Sequence, residues 1–166
     1  MAAALVLAAV VGCGQPSVPG EQQQATSTST LASLLHDLAK TRVEGFRDQD
    51  WCRFIVYARG AFTNLPDSEG GCNAFRGQPL AFDAGATADW AALQGEFQTK
   101  GVPVWLAQID YDASGQITHA EFGITPGSTT DFSYVYDPAH TDGWKDRKIL
   151  LLHQIDADWW FLSEAW

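Results

Sequence analysis

The segment 110–121 contains the side chains whose types and spacing are best suited to chemistry. Oxygen donors recur at alternate positions through it, and Gly115 allows the sharp turn that would gather them. Hard divalent cations prefer carboxylate, hydroxyl and carbonyl oxygens, several at a time. The candidate ligands for such a cation are Asp110, Asp112, Ser114, Gln116 and Glu121.

This segment resembles the calcium-binding loop of EF-hand proteins. Its first three donors match the first three side-chain ligands of that family, and Gly115 matches the turn glycine. The resemblance implies a bound calcium ion, with Gln116 contributing its main-chain carbonyl and Glu121 both of its carboxylate oxygens.

The residues on either side of the segment favour a β-hairpin instead. An EF-hand needs a helix on each flank, but Gly101 and Pro103 lie where the first helix would run, and Pro126 would end the second one early. A type I turn over 112–115 would have aspartate at its first position and a left-handed glycine at its last. The hairpin is therefore the favoured interpretation, and the calcium loop is the alternative.

An apolar run at the amino terminus ends in a cysteine. Residues 2–11 are apolar but too few to cross a bilayer as a helix, and residues 10–13 read Val-Val-Gly-Cys. This tetrapeptide resembles the lipobox of bacterial lipoproteins. The resemblance implies a signal peptide over 1–12 and a chain anchored to the cell membrane by a lipid on Cys13, facing outside the cytoplasm. No Lys or Arg precedes the run, so we expect the true translation start to lie upstream of Met1.

Two further cysteines remain once Cys13 is assigned to the lipid. Oxidising conditions outside the cytoplasm favour a bond between Cys52 and Cys72, and the stretch between them is rich in turn residues. A metal site at these cysteines is disfavoured, because neither belongs to a paired cysteine motif with nearby histidine ligands. The sequence therefore predicts a Cys52–Cys72 disulfide.

The chain after the signal peptide divides into a tether and one domain. Residues 13–30 are rich in Gln, Ser, Thr and Pro, a composition typical of a flexible tether. Residues 31–166 contain enough apolar and aromatic side chains for a single packed domain. Because the net charge is −10, we do not expect the protein to bind nucleic acid, whose phosphates require Lys and Arg.

Hydrophobic periodicity predicts an α+β domain in which two helices pack on a curved antiparallel sheet of about five strands. The first helix is predicted from Leu31 through Phe46, and the second from a cap at Thr87 to a stop at Gly101. A short strand is expected over 54–58, before the second helix. The later strands are predicted at 102–111, 116–124, 132–136, 148–155 and 159–164, with a turn at 156–158.

The order of these elements is loosely similar to the steroid-isomerase-like cone fold, in which helices cover a curved sheet around a pocket. The closing hairpin, whose last strand contains Trp159-Trp160-Phe161-Leu162, carries this similarity. No catalytic motif of that family transfers to this chain, so the similarity implies a fold and not a chemistry.

Three classes of function remain open on the sequence. The favoured class is a non-enzymatic envelope lipoprotein whose domain binds a small ligand or another envelope protein. The second is a module stabilised by calcium bound at 110–121, the one cofactor that the sequence implies. An enzyme is the third, because no nucleophile–base arrangement and no HExxH or GxSxG motif is found.

Overall fold

The computed structural model describes residues 17–65, 72, 79–125, 130–141 and 147–165. Within these ranges the chain forms two helices, α1 (Glu21–Thr41) and α2 (Ala84–Thr99), and nine strands. No helix in these ranges is long and apolar enough to cross a membrane. The strands in chain order are β1 (Gly45–Gln49), β2 (Cys52–Tyr57), β3 (Gly60–Thr63), β4 (Leu80–Ala81), β5 (Leu106–Tyr111), β6 (Ile117–Thr125), β7 (Thr130–Tyr136), β8 (Ile149–Gln154) and β9 (Trp159–Ala165).

The strands form one sheet in the order β4-β3-β2-β1-β5-β6-β7-β9-β8. Neighbouring strands are antiparallel except β3 and β4, which are parallel. The α+β prediction is confirmed, but the predicted number of about five strands is wrong, since the described residues form nine. Hydrophobic alternation misses β3 and β4 because they have only four and two residues. The third strand missed is β1, which begins among the residues predicted to end the first helix.

Both helices pack on the same face of this sheet. One core cluster joins the leucines of α1 and the apolar face of α2 to inward residues of seven strands. The two edge strands, β4 and β8, contribute no buried residue to that cluster within the described chain. The opposite face carries two small clusters, one around Phe54 and the other around Val135 and Leu162.

The chain leaves α1 earlier than the apolar spacing predicts. Arg42 follows the helix in the left-handed conformation, with φ at 50°, and the amide of Val43 donates to the carbonyl of Leu38. Phe46, predicted to end the helical stripe, lies in β1 instead. Its side chain is buried as expected, because an inward residue of the adjacent strand reaches the same core as the helix.

The same helix begins ten residues earlier than predicted, at Glu21 and not at Leu31. Composition predicts a flexible tether for residues 21–30, but they are helical, and Gln24 and Thr28 are buried. Hydroxyl groups along this segment donate to carbonyls about one turn back. Packing of a buried face supplies stability that the Ser/Thr-rich composition lacks, so composition alone misassigns the segment.

The second helix starts one turn before its predicted cap. Asp83, and not Thr87, is the N-cap, and its side chain accepts a hydrogen bond from the amide of Ala86 at 2.6 Å. The predicted left-handed stop is confirmed at Gly101, whose φ is +74°. The side chain of Asp83 therefore marks the start of α2.

Candidate functional site

A cleft of about 500 Å³ opens between the C-terminal part of α1, the body of α2 and β2. Its volume lies within the range of small-molecule pockets, about 300–1,000 Å³. The residues that line it divide into an apolar floor and a charged rim.

The floor of the cleft is made of core residues. Leu38 from α1, Ile55 from β2 and Leu93 from α2 are all buried members of the main core cluster, and Val43 lies between α1 and β1. Ala92 forms part of the α2 wall with a small side chain, which leaves volume unfilled. An apolar group that reached this floor would be removed from water together with the floor itself.

A hydrogen-bonded cluster stands at the rim of the cleft. The hydroxyl of Tyr57 donates to Asp89 Oδ2 at 2.7 Å, and Arg59 Nη1 lies 3.2 Å from both oxygens. Arg59 Nη2 donates to Asp83 Oδ2 at 3.0 Å, so the guanidinium links the end of β2 to the start of α2. A side chain at Gly85 would displace the guanidinium from this position, because a Cβ there would lie 2.5 Å from Arg59 Nη1.

The protonation states of two rim residues follow from their surroundings. Burial raises the pKa of Tyr57 to about 12, and the hydrogen bond to Asp89 acts in the same direction. Tyr57 is therefore a neutral hydrogen-bond donor at physiological pH. On the α1 side, the hydrogen bond from Lys40 and its positive charge lower the pKa of Asp37, which is ionised at neutral pH.

Negative groups outnumber positive ones at the rim. Among the described residues that line the cleft, Asp37, Asp89 and Glu96 carry carboxylates and Arg59 carries the one guanidinium. Lys40 pairs with Asp37 from outside the lining. Arg59 is already bound by two aspartates, whereas no described residue forms an ion pair with the carboxylate of Glu96. The rim therefore suits a ligand head that is cationic or donates hydrogen bonds better than it suits an anion.

The predicted metal-binding segment forms the hairpin. It connects β5 to β6, where an EF-hand would have a helix on each side. Asp112 Oδ1 accepts hydrogen bonds from the amides of Ser114 and Gln116 at 2.8 and 2.9 Å, and from the Ser114 hydroxyl at 2.7 Å. Gly115 adopts a φ of +84°, as a type I turn followed by a glycine bulge requires.

The candidate calcium ligands do not come together in this hairpin. The register pairs Glu121 with Gln108, which lies four residues before Asp112, or about 13 Å along the strand. Asp110 lies within β5, and the carboxylate of Glu121 is bound by Arg147. Over the described ranges, no group of three or more His, Cys, Asp or Glu side chains is arranged to hold a metal ion.

Arg147 binds two glutamates on the face of the sheet opposite the helices. It donates from Nη1 and Nη2 to the two carboxylate oxygens of Glu121 at 2.7 and 2.9 Å, and from Nε to Glu164 at 2.9 Å. The hydrogen bond to Glu121, followed by that to Glu164, raises the pKa of Arg147 above its ordinary value, although burial acts against this. The carboxylate predicted to bind calcium at both oxygens is thus bound at both oxygens by an arginine.

Cys52 and Cys72 form the predicted disulfide. Their Cα atoms are 5.5 Å apart, and both residues are buried. Cys52 begins β2, and Thr63 Oγ1 in the neighbouring strand β3 lies 3.4 Å from Cys72 Sγ. Cys13 and the predicted signal peptide over 1–12 lie outside the described residues.

The cleft is the site that the sequence does not reveal. Tyr57 and Asp89 are 32 residues apart, Arg59 and Asp83 are 24 residues apart, and none of the four belongs to a recognisable motif. The available signal is a polar strand end, Tyr-Ala-Arg, followed later by two aspartates near a helix start. That signal becomes useful only once α2 is known to pack beside β2.

No protein-family model matches this chain, and no similar curated protein or solved structure is found. The resemblances to lipoproteins, to EF-hand loops and to the cone fold therefore remain predictions from the residues that carry them. Function must be inferred from the cleft and from the chain's own chemistry.

Proposed function

We propose that this protein is an extracytoplasmic lipoprotein whose domain binds a small amphiphilic ligand in the cleft between α1, α2 and β2. The observation that carries the proposal is the cleft itself, with about 500 Å³ of space above a floor of core residues. Small-molecule sites are commonly concave and mostly apolar, with a few polar groups that orient the ligand.

The rim defines the class of ligand. An apolar body would lie on Leu38, Ile55 and Leu93, while a cationic head would lie near Asp89 and Glu96. Arg59 offers little attraction to an anion, because Asp83 and Asp89 already neutralise it. The ligand we infer is therefore a cationic amphiphile of modest size.

The proposed location outside the cytoplasm has two supports. Residues 10–13 have the Val-Val-Gly-Cys pattern of a lipobox. The Cys52–Cys72 disulfide is of a kind that persists in oxidising compartments and is rare in the cytosol. This pairing leaves Cys13 as the cysteine free to carry a lipid.

Ligand binding is tested with two detergents of equal chain length, decyltrimethylammonium and decyl sulfate. Each detergent is used below its critical micelle concentration. Its binding is measured by the displacement of a neutral naphthylamine fluorophore from the protein. Ala92→Trp should fill the cleft and weaken binding of the cation at least tenfold. Ala91→Trp is the matched control, since Ala91 is also exposed on α2 but is not among the residues that line the cleft. Equal binding of the cation by the wild type and by Ala92→Trp would show that the cleft is not the binding site.

The charge of the rim is tested separately with Glu96→Gln. This change removes one carboxylate without disturbing the Tyr57–Arg59–Asp89 cluster. Binding of decyltrimethylammonium should weaken severalfold, while binding of neutral decanol should not change. Tighter binding of decyl sulfate than of the cation would show that the inferred ligand class is wrong.

Lipid attachment is tested by metabolic labelling with palmitate in a bacterial host. The wild-type chain should be labelled and its processing should be blocked by globomycin, whereas Cys13→Ser should carry no label. The double variant Cys52→Ser, Cys72→Ser is the control that retains Cys13. Labelling that persists in Cys13→Ser would refute the anchor.

A further inference from the structure

Within the described residues, β8 lies at one edge of the sheet and is bonded to β9 on one side only. Its consecutive leucines Leu150, Leu151 and Leu152 are 63%, 39% and 39% exposed. Natural edge strands are usually blunted by charged residues, by proline or by shortness. β8 has six residues, with no proline, lysine, arginine or carboxylate among them.

The other edge of the sheet provides a comparison. β4 has two residues and also exposes a leucine, Leu80, at 55%. A strand of two residues offers too few backbone groups to bind another strand. In β8, a bulge at Leu150 interrupts one end, and the regular part from Leu151 to Gln154 remains available for pairing.

We propose that β8 pairs antiparallel with β8 of a second copy of this chain, across a two-fold axis. Lys148 precedes the strand, and Asp156 and Asp158 follow it. Antiparallel pairing brings the basic end of each strand to the acidic turn of the other copy, whereas parallel pairing would align like charges. Between these ends β8 carries no carboxylate, so two copies of a chain with a net charge of −10 meet here with little local repulsion.

The two-fold axis restricts the register. Residues opposite each other in an antiparallel pair point to the same face of the sheet. Across a two-fold axis, one residue of β8 must therefore lie opposite the same residue of the second copy. Leu152 is opposite Leu162 of β9, which belongs to the small cluster on the face away from the helices. Pairing centred on Leu152 joins the clusters of the two copies and brings Lys148, beyond the bulge, towards the acidic turn of the other copy.

The expected dimer is weak in dilute solution. Pairing of one strand buries less than the roughly 800 Å² per partner of a standard interface. Attachment of both copies to one membrane would raise their effective concentration and favour pairing. Only this last effect rests on the proposed anchor; strand pairing is independent of the anchor and of the cleft.

The register is tested by cross-linking the full chain in a Cys13→Ser background. In Leu152→Cys the two introduced thiols face each other, with Cβ atoms about 4.5–5.5 Å apart, close to disulfide reach. Mild oxidation should give a covalent dimer. Leu80→Cys, on the other edge and more exposed, should stay monomeric. Equal cross-linking of the two variants, or none in Leu152→Cys, would overturn the proposal.

The strength of pairing is measured by sedimentation equilibrium of the full chain carrying Cys13→Ser. Leu150→Lys and Lys148→Glu should each raise the dissociation constant at least tenfold, while Leu80→Lys should leave it unchanged. Circular dichroism confirms that each variant is folded. A chain that sediments as a monomer at several hundred micromolar would contradict pairing through β8, and so would a dimer that Leu150→Lys does not weaken.

Discussion

The guanidinium of Arg147 forms ion pairs with two carboxylates that lie on one face of the sheet. Glu121 is buried and Glu164 is partly buried, since their side chains are 10% and 27% exposed. Removing the arginine from such a buried ion-pair group lowers stability, because the two remaining carboxylates stay poorly solvated and repel each other. Arg147 should therefore matter more for stability than an exposed cation does.

We expect Arg147→Ala to lower the free energy of unfolding by about 2 kcal/mol, the cost of losing hydrogen bonds between charged groups. Arg53→Ala is the control, because Arg53 reaches Asp48 only at 3.7 Å and is half exposed. Its ion pair should contribute less than about 1 kcal/mol. Urea unfolding curves measure both variants, and equal losses would contradict the role given to Arg147.

Tyr111 joins the end of α1 to the sheet. Its single hydroxyl proton is shared between the carbonyl oxygens of Val43, at 2.8 Å, and Leu38, at 3.2 Å. Burial, followed by the charge of Glu44, raises the pKa of Tyr111 to about 12, while the nearby charge of Arg42 acts in the opposite direction. The folded protein therefore holds this proton more tightly than the unfolded chain does.

This shift predicts how stability depends on alkaline pH. A raised pKa stabilises the folded state fully below the ordinary value of 10.0, and that contribution is lost as pH rises through about 12. The melting temperature should therefore fall between these two pH values. Tyr111→Phe should be less stable at pH 7, by about 1 kcal/mol for the lost hydrogen bonds, and should show a shallower alkaline fall. Parallel pH profiles for the two proteins would contradict the assignment.

At the scale of elements, local signals predict local structure well. The hairpin at 112–115 follows from aspartate at the first turn position and glycine at the last, and the structure forms it with these residues. The turn at 156–158 is confirmed in the same way, since Asp156 Oδ1 accepts hydrogen bonds from the amides of Asp158 and Trp159. Each signal lies within a few residues of the structure it specifies.

Features that depend on distant residues are the ones that prediction misses. The helical start at Glu21 depends on a buried face that includes Gln24 and Thr28, which composition alone describes as a polar tether. The cleft depends on β2 and α2 lying side by side, and the bidentate contact between Arg147 and Glu121 spans 26 residues. No spacing pattern in the sequence predicts the packing of β2 beside α2 or the contact between Arg147 and Glu121.

The Cys52–Cys72 bond attaches residue 72 to the start of β2. Closing a loop of 20 residues should stabilise the fold by about 3 kcal/mol in the chain-entropy model. The double variant Cys52→Ser, Cys72→Ser should lose about that much, measured by denaturant unfolding. Dithiothreitol should destabilise the wild type and leave the double variant unchanged. A reductant effect of equal size on both would show that the change has another cause.

For the molecule as a whole, the excess of negative charge destabilises the compact folded state. The chain has 20 acidic and 10 basic residues, which gives the net charge of −10. The described ion pairs neutralise only some of these carboxylates locally, and several of those pairs are substantially exposed. Self-repulsion among the remaining acidic groups should lower stability at neutral pH and low ionic strength.

Salt should therefore stabilise this protein at neutral pH. Raising sodium chloride from about 10 mM to 500 mM shortens the screening length from about 30 Å to below 8 Å. Relief of about 1 kcal/mol of repulsion would raise the melting temperature by about 3 °C. At pH 4.5, near the isoelectric point, the same salt series should have little effect, because the net charge is close to zero. A melting temperature that falls with salt at pH 7 would mean that the local ion pairs outweigh the global repulsion.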